Sequence, residues 1–275
     1  MTRSICSQFV ALAASLLLVT PSFGAAQSEI DAMSDPVAKG QAIAEEADRR
    51  EKGFGDSEAT MHMILRNARG QESTRELRIK SWENPDQSGE DKVLIVFDQP
   101  RDVAGTALLT YAHPTDDDDQ WLYFPASRQV KRIAGSGQTG SFMGSEFSFE
   151  DLSSNSLAKF TYRWLRDEAC GESFCWVIER LPTNPNSGYT KQVAWIDKEA
   201  FRLRRVDFYD KREELLKTLT AEDYRLHLDK FWRAHRLTME NHLTKKSTVL
   251  TWIEINFQTG LRERDFTQGA LKRAR

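Results

Sequence analysis

Asp116–Leu152 reads DDDDQWLYFPASRQVKRIAGSGQTGSFMGSEFSFEDL. It opens with an acidic turn and a short aromatic strand, Trp121 to Phe124, which Pro125 ends because proline has no N–H to give a ladder. A basic strand follows from Arg128 to Ile133. Glycines at 135, 137, 140 and 144 then break the strand pattern, with Phe142, Met143, Phe147 and Phe149 set among them. Surface loops are normally polar, so four large apolar side chains in an irregular segment either plug a space or line one.

The sequence on both sides of this stretch alternates with period two. Met61, Met63 and Leu65 alternate with His62, Ile64 and Arg66, residues 67–71 turn the chain, and Leu77 and Ile79 resume the alternation, which predicts a hairpin with one apolar face. Lys92 to Phe97, KVLIVF, is apolar in both phases and predicts a strand covered on both sides. Thr106 to Tyr111 continues the sheet. Downstream, Phe160, Tyr162 and Trp164 share a face, as do Val193 and Trp195, Tyr224, Leu226 and Leu228, and Leu237, Met239 and Leu243. The odd positions from Val249 to Phe257 are Val, Thr, Ile, Ile and Phe, an apolar face almost without interruption. Between Phe201 and Phe208 the apolar phase slips at Arg204–Arg205, the signature of a β-bulge.

About a dozen strands result, which makes the chain mainly β (α+β) around a large antiparallel sheet. A sheet of that size curls or closes. Its concave face must then be filled by its own side chains, by the 116–152 loop or by a ligand. One helix is expected, Pro36 to Lys52, with Asp35 as N-cap and proline at the first helical position. Its apolar stripe is thin, so it either packs on the sheet or serves as a loosely held lid.

Residues 1–26 carry one charge, Arg3, an apolar run from Phe9 to Val19, Pro21, and small residues before Gln27. This predicts a secretory signal peptide cleaved after Ala26, since the apolar core is shorter than the ~20 residues that span a bilayer. Residues 27–275 are expected to form a single soluble, monomeric domain in the periplasm, because no linker composition or fixed-period repeat divides them. Cys170 and Cys175 then lie in an oxidising compartment at the neck of a hairpin, where they are expected to meet as opposite residues and form a disulfide. A metal or redox role fits poorly, because the spacing is C-x4-C with no accompanying cysteine pair or histidine cluster.

The 38 basic and 41 acidic residues give a formal net charge of −3, and this balance argues against a nucleic-acid partner. The five histidines, 62, 113, 227, 235 and 242, fall on different expected elements, so neither a metal site nor a cofactor is expected. The Asp116–Asp119 run lacks the glycine turn and downstream Glu of a calcium loop and is expected to be a solvated hairpin tip. Ser141 and Ser145 match no nucleophile elbow, and the 135–144 glycines no phosphate loop. The chain is therefore not expected to be an enzyme, and binding of something apolar is the leading physical reading.

The run WLYFPASRQVKRI followed by GSFMGSEFSFEDL, the later VAWIDKEAFRLRRVDFYDK and the near-terminal RERDF resemble the signature of the outer-membrane lipoprotein-sorting, LolA-like proteins, in the branch found beside RND-type exporters. The resemblance spans roughly Ser57 to Phe266. It implies a half-open antiparallel barrel whose mouth is crossed by helices or loops and whose cavity receives lipid or lipoprotein acyl chains during transfer towards the outer membrane. Carried onto this sequence, the cavity or gate positions are Trp121, Tyr123, Phe142, Met143, Phe147 and Phe149. The basic Arg128, Lys131 and Arg132 are candidates for contact with anionic headgroups or a partner such as an inner-membrane RND-type exporter. The competing reading is a docking module of such an exporter that carries nothing.

Overall fold

The computed structural model describes residues 23–86, 90–154 and 156–273. Thirteen strands form one antiparallel sheet: β1 (Asp56–Arg66), β2 (Glu72–Trp82), β3 (Asp91–Gln99), β4 (Ala107–Ala112), β5 (Asp119–Phe124), β6 (Gln129–Ile133), β7 (Phe160–Cys170), β8 (Ser173–Pro182), β9 (Lys191–Asp197), β10 (Leu203–Tyr209), β11 (Leu215–His227), β12 (Phe231–Asn241) and β13 (Ser247–Phe257). Their spatial order is β6-β5-β4-β3-β2-β1-β13-β12-β11-β10-β9-β8-β7. The chain meanders outwards from β1 to one edge, crosses to the other edge through residues 134–159, and meanders back until β13 pairs with β1. The edges β6 and β7 do not pair, so the sheet is a half-open barrel.

Three α-helices accompany it, α1 (Phe23–Ala32), α2 (Pro36–Glu51) and α3 (Gln268–Arg273). The expected signal segment lies outside the described residues over 1–22, and its last four residues begin α1. No helix among the described residues is long and apolar enough to cross a membrane.

Helix α2 starts as its sequence dictates: the Asp35 carboxylate accepts the Val37 N–H at 2.8 Å and Pro36 sits in the first turn. Its narrow stripe of Gly40, Ile43 and Ala44 is buried. Gly40 lies so close to edge strand β7 that a Cβ there would come within 2.5–2.7 Å of Arg163 and Trp164 backbone atoms. The helix therefore caps the β7 edge.

One face of nearly every strand joins a single apolar cluster on the concave side, from Ile133 on β6 through Leu77, Met63, Leu250, Met239 and Val206 to Trp176 and Tyr162. Strand β3 is covered on both sides, as KVLIVF predicts: Val93, Ile95 and Phe97 face the concave cluster, while Leu94 and Val96 face a second cluster closed by Phe266 and by Leu271 of α3. Each such fully buried side chain contributes about 1.5–3 kcal/mol. A third, smaller convex cluster joins Cys175, Val177, Val193 and Trp195.

The bulge at Arg204 is present, the register passing from Leu203↔Ile196 to Arg205↔Trp195. The odd-numbered apolar face of Val249–Phe257 does not keep to one side of the sheet. Thr60 pairs with Glu254 and Met61 with Trp252, so Ile253 is the extra residue of a bulge and is 54% exposed. Leu250 and Trp252 take the concave side before it, and an added residue shifts a period-two pattern onto the other face. Leu226, Leu228 and Leu243, which period two groups with Tyr224 or with Leu237 and Met239 on apolar faces, are also exposed.

The Cys170–Cys175 disulfide forms with a Cα–Cα distance of 5.8 Å. The cysteines are not opposite residues: Cys170 faces Ser173 and Cys175 faces Glu168, so the bridge runs diagonally across the β7–β8 hairpin.

Candidate functional site

Residues 134–159 leave the β6 edge and lie across the concave face. Phe142 and Phe147 close a tight turn in which the Phe142 N–H donates to the Phe147 carbonyl at 2.7 Å, with Met143 and Gly144 at positive φ. Of the loop glycines, Gly144 serves this turn. Phe142 is 1% exposed, its ring centroid 5.6 Å from those of both Phe97 and Phe149. The two serines are structural: Ser141 Oγ donates to the Ser145 carbonyl and Ser145 Oγ to that of Phe142.

Polar bonds fix this loop to the sheet. Arg75 Nη1 donates to the Met143 carbonyl, Gln120 Nε2 to Phe149, the Glu146 N–H to Thr248 Oγ1, and Asn241 Nδ2 to the Glu146 carboxylate. Lys217 Nζ, buried, donates to Asp151 at 2.5 Å and to the Glu146 carbonyl at 3.0 Å, while Tyr189 Oη and the Ser148 N–H donate to the same Asp151 carboxylate. Glu150 accepts from Ser187 Oγ and the Gly188 N–H, and burial pushes its pKa up.

The acidic run is not simply a solvated tip. Asp116 and Asp117 are exposed, but Asp118 is buried. It accepts from Lys159 Nζ, the His113 N–H and the Ser154 N–H, and so clamps the two ends of the loop together.

Between the sheet and its covers lie two adjoining chambers of about 750 and 740 Å³. The first is bounded by the 116–152 stretch and by apolar side chains such as Met63, Ile95, Val206 and Met239. The second is bounded by the C-terminal half of α2 and by Ile178, Ala194, Ile196 and Phe201. Arg180, Leu203, Tyr224, Leu237 and Trp252 line both. Each volume lies in the range of small-molecule sites, and the walls are largely aliphatic and aromatic.

Phe142 and Phe147 of the expected set line the first chamber. Met143 and Phe149 pack behind them in the concave cluster without lining it. Trp121 and Tyr123 are not at the cavity: they belong to the convex cluster under α3, because β5 turns Leu122 inwards and its neighbours outwards. The basic candidates form no single stripe. Arg128 is in the β5–β6 turn at positive φ, while Lys131 and Arg132 are consecutive on β6 and point to opposite faces, Arg132 pairing with Asp119.

Three polar residues at the cavity escaped the sequence reading of the site. Tyr162, Arg180 and Gln192 sit at paired positions of β7, β8 and β9. Arg180 is in phase with the inward Trp176 and Ile178, and Gln192 with the inward Ala194 and Ile196. A charge or amide recurring in the apolar phase of a strand was the available signal. The five histidines are also not all separate: His227 and His235 stack across β11–β12 with Nε2 atoms 3.0 Å apart.

An open antiparallel barrel with a covered apolar cavity defines a binding fold. Residues 89–273 match the model of a family described as an uncharacterised protein family. A solved structure described as an outer membrane lipoprotein-sorting protein domain from Vibrio parahaemolyticus is 51% identical, with a TM-score of 0.83 over 86% of this chain and 99% of that one. A DUF1329 family protein from Desulfovibrio piger is 30% identical, with a TM-score of 0.82 over 86% and 100%. A LolA superfamily protein from Nitrosomonas europaea shares the fold at 20% identity, with a TM-score of 0.67 over 84% and 98%. None of the curated proteins matches the chain. The chain belongs to the family of the outer-membrane lipoprotein-sorting protein domain and the DUF1329 protein, and has a LolA-like fold.

Proposed function

We propose that the protein is a periplasmic carrier that shields the acyl chains of a lipid or lipoprotein during transfer towards the outer membrane, in concert with an RND-type exporter. The supporting observation is the pair of adjoining chambers between sheet and covers. Each CH₂ moved through water exposed costs about 0.8 kcal/mol, so a carrier needs an enclosed apolar space and not a surface patch. In this reading residues 1–26 are a cleaved export signal, and residues 27–275 work as one monomeric domain without chemistry of their own.

The test is lipid extraction and mass spectrometry on protein purified from the periplasm, together with displacement of an apolar fluorescent dye by added lipid. Co-purifying acyl lipid and saturable dye displacement are expected. Protein that emerges lipid-free and leaves the dye unbound would instead be an exporter's docking module.

A further inference from the structure

Tyr162, Arg180 and Gln192 are directly paired neighbours across β7, β8 and β9, and all three face the cavity. Tyr162 opens to one chamber, Gln192 to the other and Arg180 to both. Among the described residues none of the three side chains has a hydrogen-bond partner, and Arg180 has no ion pair; Arg180 Nε and Gln192 Oε1 are fully buried and unpaired. The guanidinium lies over the Phe160 ring, 4.9 Å from its centroid. Burial pulls the Arg180 pKa down, yet a guanidinium stays charged. Burial pushes the Tyr162 phenol up to about 12, so it remains an O–H donor.

The same lateral row supplies a control. Gln192 pairs with Phe208 and Phe208 with Lys217, a second buried cation. Lys217 is matched by the Asp151 carboxylate and the Glu146 carbonyl. An uncompensated charge in a low-dielectric site is costly; one cation of the row has a directly bonded carboxylate, while the other feels Asp151 only through space. The carboxylates lining the first chamber do not fill the gap: Asp118 is held by Lys159, Asp151 by Lys217 and Glu150 by Ser187 and Gly188. Asp116 and Asp117 at the rim are exposed and therefore screened.

We propose that Tyr162, Arg180 and Gln192 recognise the anionic head, carboxylate or phosphate, of an acyl lipid whose chain occupies the adjoining apolar chamber. This rests on the carrier reading and sharpens it, because a neutral lipid would leave the guanidinium bare. A guanidinium, a phenol and an amide together offer an oxyanion several donors, and ionic hydrogen bonds are the strong ones.

The test uses purified mature protein at pH 8, with cis-parinaric acid and its methyl ester as fluorescent probes. The acid is expected to bind at least about tenfold more tightly than the ester, the scale of one hydrogen bond to a charged group. That ratio should fall to about one in Arg180→Met, survive in part in Arg180→Lys and drop a few-fold in Gln192→Leu. Dodecanoate and dodecyl phosphate, as competitors, separate the two head chemistries, and loss of either competition in Arg180→Met is the supporting result. Equal binding of acid and ester by the unmodified protein overturns the proposal and leaves the carrier reading standing. An unchanged ratio in Arg180→Met, or a Met variant too unstable to purify, also overturns it. Displacement by inorganic phosphate alone would mark a small-anion site and would count against a lipid head. Failure of both probes to bind removes the carrier reading itself.

Discussion

The concave face is closed by two covers of different construction. The 134–159 loop is bonded into the sheet through Arg75, Gln120, Thr248, Asn241 and the buried Lys217–Asp151 pair, and its aromatic rings enter the main cluster. Helix α2 buries a narrow stripe, touches β7 through a glycine, and gains ring contacts such as Lys39 over Trp164 and Arg50 over Phe201. A cover tied to the sheet by many buried, directional bonds has one position; a cover held mainly by a narrow apolar stripe and a few cation–ring contacts can detach at lower cost. The loop is built as a wall, and the helix is the more narrowly attached of the two covers. Within the loop, Gly140 has an ordinary φ of −68°, and Gly144 serves a tight turn.

This contrast can be broken experimentally. Phe142→Ala removes a fully buried ring from the wall and should cost about 3–5 kcal/mol in chemical denaturation; a cost below about 1 kcal/mol would show that the loop is not core. Asp151→Ala strands Lys217 among buried groups and should cost about 3 kcal/mol or more, whereas a variant with native stability would remove the ion pair from the account of the wall.

On the helix side, Gly40→Ala forces α2 off the β7 backbone. It should cost about 1–3 kcal/mol and raise the rate of dye entry, while Phe142→Ala should lower stability without such a selective change. Faster dye entry in Phe142→Ala alone would reverse the contrast between the two covers. Away from both covers, reducing Cys170–Cys175 closes no part of the cavity and should cost at most about 2 kcal/mol, read as a melting shift with unchanged dye binding.

The smallest effect is a pH dependence. His227 and His235 have pKa values held below the usual 6.5, first by burial, with Arg225 and, for His227, the neighbouring His235 opposing a second charge. A depressed histidine contributes stability above the unfolded pKa and loses it as pH falls through the folded one. The β11–β12 ribbon should therefore weaken from about pH 6.5 downwards, and the melting temperature should fall between pH 7.5 and 5.5. An equal fall in a His235→Gln variant would place the titration elsewhere.

Much of the fold was legible in the sequence, because a strand's side chains alternate and one buried face writes that alternation into the residues. KVLIVF announced a strand covered twice, Arg204–Arg205 a bulge, and Asp35–Pro36 a helix start. The site was less legible. Period two says that Leu122 and its neighbours Trp121 and Tyr123 face opposite ways, but which face is concave depends on how thirteen strands curl, a property of no single strand. Phe142, Met143, Phe147 and Phe149 were all visible as misplaced apolar residues in a glycine-rich loop; that Phe142 and Phe147 line the chamber while the other two pack behind them was not.

Sequence alone determined an all-antiparallel sheet, a capped helix, a cysteine bridge and an apolar loop in its middle, because each rests on contacts or dihedral preferences local to a few residues. Tertiary structure decided how each cover is held, put Asp118 at a clamp, and gathered Tyr162, Arg180 and Gln192 into one row that finds no hydrogen-bond partner among the described residues. Those outcomes depend on pairings between strands and between covers far apart in the chain, where the register of one strand on the next sets which polar groups find partners and which face the chamber.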